Sequence, residues 1–254
     1  MSFEVAAESY DSFMGRYSVQ LSAPLADLAG VGAGIRAIDV GCGPGALTAE
    51  LVQRLGADAV AAVDPSEPFV EAARARHPGV DVRLAPAEEL PFADDEFDTA
   101  LAQLVVHFMR DPVAGLAEMA RVTRPGGVVA ACVWDLAGGR APISPFWRAV
   151  HSLNPSAQDE SALAGAREGH LAELFIAAGL RDVEDAELHA TVQYETFEEW
   201  WHPYTLGVGP AGAYAASLGE AELAALRDRC LELLFEEPFS VTATARAVRG
   251  RVCA

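Results

Sequence analysis

Two acids and a histidine carry the first chemical signal. Asp39 closes the apolar run "AIDV" and is followed by three alternate glycines, Gly41, Gly43 and Gly45, that lead into a helix-like pattern beginning near Ala46. Glycines at this spacing let the chain turn with positive φ and let a ligand approach the main chain closely. The spacing GxGxG is neither the GxGxxG of a dinucleotide turn nor the GxxxxGK[ST] of a phosphate loop, and every basic residue is an arginine, so a phosphate-loop lysine does not exist. An acid beside the turn repels pyrophosphate and suits a cation such as an amino group or a sulfonium. Asp64 ends a second run, "AVAAVD", where an acid in doubly wound folds accepts the hydroxyls of an adenosine ribose. Its competing role is to cap the helix that follows Pro65 and Ser66. His107, just past a later apolar run, has a neutral form that can accept a proton near neutral pH.

Short apolar runs recur at Arg36–Asp39, Ala59–Asp64, Asp81–Ala85, Phe97–Gln103 and Gly127–Trp134, with helical patterns between the first four. The alternation predicts βαβ crossovers and a doubly wound, mostly parallel sheet covered on both faces, with ligands at the carboxyl ends of the strands where the topology reverses. After Asp135 the rhythm changes to a Gly/Pro loop, a short helix at Phe146–Leu153, a helix at Gly169–Ala178 and an alternating strand at Arg181–Leu188. An aromatic-rich segment, "YETFEEWWHPYTLGVGPAGAY", precedes an amphipathic helix at Glu220–Phe235 and a last strand at Thr242–Gly250. The expected organisation is a single α/β domain. It has an N-terminal helical segment (1–30), a core (31–188), a helical cap inserted before the last strand (189–240) and that strand (241–254).

The chain has 254 residues and a formal charge of −19, from 18 basic and 37 acidic residues. Such a charge disfavours nucleic acid and anionic membrane surfaces as partners. No run approaches the ~20 apolar residues of a membrane span, and the first residues lack the basic start and apolar core of a signal peptide. A cytoplasmic protein, monomeric or homodimeric, is expected. Cys42, Cys132, Cys230 and Cys253 form no CxxC pair, and the histidines show no HExxH spacing, so neither a disulfide framework nor a metal is expected.

Four segments in order resemble the motifs of the class I S-adenosylmethionine-dependent methyltransferases, especially the small-molecule branch of ubiquinone/menaquinone methyltransferase-like proteins. They are "AIDVGCGPGALT", "AVDPSEPFVEAAR", "LAPAEELPFADDEFDTALAQLVVHF" and "EMARVTRPGGVVAACVW". The resemblance, which spans roughly Tyr10 to Trp134, implies a seven-stranded Rossmann-like fold and S-adenosylmethionine as methyl donor, with S-adenosylhomocysteine as product. It implies that Gly41, Cys42, Gly43 and Gly45 pack against the cofactor, that Asp39 holds its amino group and that Asp64, Pro65 and Ser66 surround its ribose. Ala87 and Glu88 fall in the adenine loop, where Ala85-Pro86-Ala87-Glu88 departs from the family's Gly-Asp-Ala-Glu, so Glu88 or a water takes the place of the missing Asp. Gln103 and Leu104 fall beside the methionine moiety. "YDSFMGRYS" resembles a segment that closes over the cofactor, which brings in Tyr10, Arg16, Tyr17 and Ser18, with Arg16 a partner for the methionine carboxylate.

Methyl transfer from a sulfonium requires alignment of the acceptor and exclusion of water, with a base only where the acceptor must lose a proton. His107 is the candidate base. Trp134, Trp200, Trp201, His202 and Tyr204 are, with His107, the candidate acceptor pocket, which Phe239 also walls. The fourth run ends in Gln103-Leu104-Val105-Val106 rather than the [DN]PP[YF] of amino-methylating nucleic-acid and protein enzymes, leaving a small organic acceptor. The alternatives are a nicotinamide-dependent oxidoreductase, disfavoured by the glycine spacing, and a binding protein that keeps the cofactor without turnover.

Overall fold

The computed structural model describes residues 11–207, 209–234 and 236–253. A π-helical turn at Asp11–Gly15 leads into α1 (Arg16–Leu28), followed by β1 (Ala37–Val40), α2 (Ala46–Leu55), β2 (Val60–Asp64), α3 (Glu67–Arg76) and β3 (Asp81–Leu84). Then come β4 (Phe97–Gln103), a 3₁₀ turn at Val106–Phe108, α4 (Pro112–Val122) and β5 (Thr123–Trp134). The remaining elements are α5 (Ser144–Leu153), α6 (His170–Ala177), β6 (Arg181–Tyr194), α7 (Phe197–Trp201), a 3₁₀ turn at His202–Leu206, α8 (Gly209–Ser217), α9 (Glu220–Leu233) and β7 (Phe239–Arg251).

The sheet has seven strands in the order β3-β2-β1-β4-β5-β7-β6. β1 pairs in parallel with both β2 and β4, whereas β7 runs antiparallel to β5 and β6. The winding direction reverses between β1 and β4, and the crevice left there is where such sheets hold ligands. β1 and β2 are buried at every position, as strands clothed on both faces must be.

Side chains alternate between two cores because strand residues point to opposite faces. Ala37 and Leu101 join Leu21, Leu25, Leu47 and Leu51 on the face covered by α1 and α2. Ile38, Val40, Ala100 and Ala102 meet Leu116, Met119 and Phe175 on the face covered by α4 and α6. Asp39 and Gln103 therefore fall on the α1/α2 face, and the register Asp39↔Leu101 sets them on adjacent strands.

β6 and β7 form a long ribbon paired from Arg181↔Arg251 to Tyr194↔Phe239. Strands were expected to end at Leu188 and to resume at Thr242, but the buried/exposed alternation continues through Ala190, Val192 and Tyr194. The cap is correspondingly shorter than 189–240 and comprises α7, the 3₁₀ turn, α8 and α9. Its interior is aromatic. Phe146 of α5 stacks on Tyr204 at 4.6 Å and 5°, Phe13 meets Tyr204 edge-on at 5.2 Å, and Trp200 lies 4.9 Å from Tyr204. Burial of such rings contributes roughly 2 kcal/mol or more each.

Candidate functional site

The glycine turn leaves β1 with Gly41, Gly43 and Gly45 at φ of 74°, 53° and 100°. The main-chain N–H groups of Gly41 and Cys42 donate to Val63 O on β2, at 2.8 and 2.9 Å. The three glycines serve different ends. A Cβ on Gly41 would overlap the Val105 side chain and one on Gly45 would overlap the His77 ring, whereas a Cβ on Gly43 would project into open space. Gly41 and Gly45 are thus required by packing, whereas nothing stands within 4 Å of where a Gly43 Cβ would lie.

Asp64 is buried and joins the turn to β2. Its Oδ2 accepts from Gly43 N at 2.9 Å and its Oδ1 from Ser66 N at 2.8 Å. The helix-cap reading and the ligand reading coexist, since each carboxylate oxygen has a second lone pair. Burial raises its pKa against the lowering effect of those two bonds. Cys42 is buried in the turn, Ser66 is half-buried and Pro65 is exposed.

Asp39 is 1% exposed. Its Oδ2 accepts from Thr48 Oγ1 at 2.6 Å, and Oδ1 has no hydrogen-bond partner. Desolvation pushes its pKa up to about 7, against the Thr48 bond. A buried, unpartnered carboxylate oxygen calls for a cation or a donor. Gln103 repeats the pattern on β4: its Nε2 donates to Ser18 O of α1 at 2.9 Å, while Oε1 is unpartnered. Leu104 follows with φ +62°, a left-handed conformation costly for a branched side chain and of the kind that concentrates at functional sites.

His107 is buried, packs against Phe108 with ring centroids 3.9 Å apart, and has an unpartnered Nδ1. Burial lowers its pKa to about 3, so the imidazole stays neutral but is a weak base. It lines a cavity of about 540 Å³, counting the open mouth, whose walls include Phe13, Met14, Leu104, Trp134, Ile143 and Glu160.

Several expected site residues have partners within the chain. Arg16 is held by Glu199 Oε1 at 2.7 Å and Gln193 O at 2.9 Å, with its guanidinium 4.7 Å from the Tyr194 ring centroid. These contacts tie α1 to the β6–cap junction. The Tyr17 hydroxyl meets that of Tyr194 at 3.0 Å and its ring meets Trp134 edge-on. Ser18 donates to Met14 O. Glu88 Oε1 accepts from Arg110 N and Asp111 N, at 2.7 and 3.2 Å, so one of its oxygens fastens the start of α4. Ala87 is buried, and Tyr10 lies outside the described residues. Trp200, Trp201 and Tyr204 are buried and do not line the cavity beside His107; Trp200 and Tyr204 line a smaller neighbouring cavity that shares Phe13 and Met14 with it. His202 is exposed, and Phe239 stacks on Tyr194. Only Trp134 and His107 of the expected pocket line the larger cavity. Of the missed walls, Phe13 and Met14 belong to the "YDSFMGRYS" segment whose resemblance pointed to other residues, Ile143 and Pro210 sit at helix starts without a spacing signal, and Glu160 sits in a polar loop that reads as solvated. Among the described residues no group of three or more His, Cys, Asp or Glu is arranged to hold a metal, and no helix is long and apolar enough to cross a membrane.

Residues 38–131 match the family model of a methyltransferase domain. An uncharacterized protein of Mycobacterium tuberculosis is 32% identical over 236 residues, covering 86% of this chain and 83% of the relative. A malonyl-[acyl-carrier protein] O-methyltransferase of Pseudescherichia vulneris is 36% identical over 156 residues, 59% of each chain. Among solved structures, a phosphoethanolamine N-methyltransferase of Haemonchus contortus in complex with S-adenosylhomocysteine superposes with a TM-score of 0.61 at 14% identity, covering 99% of this chain and 58% of that one. The YcgJ protein of Bacillus subtilis gives 0.59 at 20% identity, covering 92% and 98%. The chain belongs to the class I S-adenosylmethionine-dependent methyltransferases. It is an enzyme that transfers a methyl group with S-adenosylmethionine as cofactor, and the nicotinamide alternative is set aside.

Proposed function

We propose that this chain methylates a small, largely apolar organic acceptor in the cytosol, with the donor held at the carboxyl ends of β1, β2 and β4. In this reading Asp39 Oδ1 meets the cationic amino end of the cofactor, and the main chain at Gly43 lies against it. Asp64 uses its spare lone pairs for ribose hydroxyls, and Gln103 Oε1 and Leu104 border the methionine end. The group bound there would supply an electrophilic methyl; the chain's own residues bind, orient and exclude water.

The observation that carries the reading is continuity. Leu104 and His107, which directly follow Gln103 of the cofactor cleft, line the apolar cavity, so an acceptor seated there adjoins the methionine end. A phosphodiester or peptide chain would find few polar groups in such a wall. The test is a thermal-shift series with S-adenosylmethionine, S-adenosylhomocysteine, NAD and NADP, followed by labelled methyl transfer into a small-metabolite extract. The sulfur compounds alone should raise the melting temperature, by linkage to the native state. Asp64→Ala should abolish most of that rise, and an unchanged rise would refute the ribose assignment.

A further inference from the structure

We propose that Glu160 is the proton acceptor of the methylation and that the acceptor molecule is a phenol whose ring lies against the aromatic wall of the cavity. This rests on the acceptor-cavity reading above. Glu160 is 6% exposed, and its Oε2 has no hydrogen-bond partner. Trp147 Nε1 is also without a bond of normal geometry, although the indole lies near enough to draw the carboxyl's pKa down. Glu160 and His107 are the ionisable residues lining the cavity, whose other walls are apolar or aromatic: Phe13, Phe108, Trp134 and Leu163 among them.

Glu160 also lines a second, polar groove with Arg148, His151, Asp159 and Ser161. It is the ionisable residue common to the two spaces among the described residues, so a proton taken from the cavity side has a way out to solvent. His151 Nε2 lies 3.7 Å from Asp159 Oδ2 in that groove. The groups that face Glu160 electrostatically are Asp159 and the buried Tyr204, with Trp147 and the Ala211 main chain as polar neighbours. Burial lifts its pKa to about 7, which poises it between acid and base near neutrality, where proton transfer is most efficient. His107 is too weakly basic for the task.

The balance is simple. A lone pair of the phenol oxygen forms the new O–CH3 bond as the S–CH3 bond of the donor breaks with its pair left on sulfur, and the hydroxyl proton passes to the Glu160 carboxylate. An aliphatic alcohol would be too weak an acid for such a base, and an aliphatic amine, an ammonium ion near neutrality, would lose its hydration in a largely apolar cavity.

The probes are 2-naphthol and 2-methylnaphthalene, followed by tryptophan fluorescence without cofactor and then by labelled transfer. Wild type should bind the naphthol about tenfold more tightly, one hydrogen bond to a charged group, with the preference growing as pH rises through about 7. Glu160→Gln should lose the pH dependence, and Glu160→Leu the preference. Transfer to naphthol should rise with pH around the same midpoint and fall about 100-fold or more in Glu160→Gln while S-adenosylhomocysteine still raises the variant's melting temperature. Equal binding of the two probes, a pH-independent preference, a fully active Glu160→Gln or no transfer to naphthol by a wild type that binds S-adenosylhomocysteine would each overturn the role of Glu160. A wild type that fails to bind S-adenosylhomocysteine would instead undo the cofactor-site reading.

Discussion

Replacing Asp39 by Asn separates the two consequences of burying a carboxylate beside the glycine turn. Asp39 titrates near 3.8 in its ordinary state and near 7 when folded. A carboxyl raised on folding adds its full stability below the lower value and loses it as pH climbs to the higher one. At 1.36 kcal/mol per pH unit, Asp39 costs the folded protein about 2 kcal/mol at pH ~5.5, where only the unfolded chain is ionised, and about 4 kcal/mol at pH ~8.5, where both are. Asn keeps an acceptor for Thr48 Oγ1 and carries no charge. Asp39→Asn should therefore be more stable than wild type without ligand, and its advantage should grow by about 2 kcal/mol across that interval. That is a widening of roughly 4–8 °C in melting temperature for a chain of this size. Glu160 also titrates in this range, but it is common to both proteins and cancels in the difference.

The ligand effect runs the other way. The cation of S-adenosylmethionine would remove the cost of the ionised carboxylate, so its stabilisation of wild type should increase with pH, and the Asn variant should bind it about tenfold or more weakly. Paired melting curves across pH, with and without the ligand, measure both. A variant no more stable than wild type at pH ~8.5 would refute the burial argument, and unchanged ligand affinity would refute the placement of the amino group.

Gly41→Ala should lose roughly 2–4 kcal/mol in denaturant titration, because the added methyl overlaps Val105 at a positive φ. Adding Val105→Ala should restore the steric part. Gly43→Ala should cost only about 1–2 kcal/mol of left-handed strain yet weaken S-adenosylhomocysteine binding more than Gly41→Ala/Val105→Ala does; the reverse order would mean that Gly43 does not face the ligand. Arg16→Ala breaks a pair whose side chains are 38% and 39% exposed, so less than ~1 kcal/mol should be lost, with cofactor affinity unchanged. A tenfold loss of affinity by calorimetry would return Arg16 to the cofactor carboxylate. His107→Gln should leave the pH profile of turnover in place near neutrality, since the imidazole titrates near 3; disappearance of a limb near pH ~6.5 would make His107 the titrating group after all.

The parts of the site visible in the chain itself are those built by local geometry. Asp39, Gly41, Gly43, Gly45 and Asp64 lie at strand ends whose apolar runs and turn residues are read directly, and their spacing already distinguishes a cation-bearing adenosyl ligand from a phosphate. The seven strands and the inserted cap were legible for the same reason: period-2 and period-3.6 patterns are local properties. Strand ends were less so, because β6 and β7 lengthen each other by cross-strand pairing through Tyr194↔Phe239, a contact with a distant segment.

What the sequence could not apportion was the aromatic residues and the arginine between structure and ligand. "WWHPY" reads equally well as a pocket wall or as cap core, and only the fold stacks Tyr204 on Phe146, sets Trp200 and Tyr204 beside a small cavity and leaves His202 exposed. Arg16 is spoken for by Glu199, far along the chain, and Glu88 by the main chain at the start of α4. Glu160 is the converse case, a residue with no motif that tertiary packing desolvates and sets between two cavities. Sequence by itself determined the winding of the sheet, the turn and the class of cofactor, because these follow from neighbours along the chain. The apolar cavity and the desolvation of Asp39, His107 and Glu160 were decided by tertiary structure, because burial and partnership depend on what the fold brings from elsewhere.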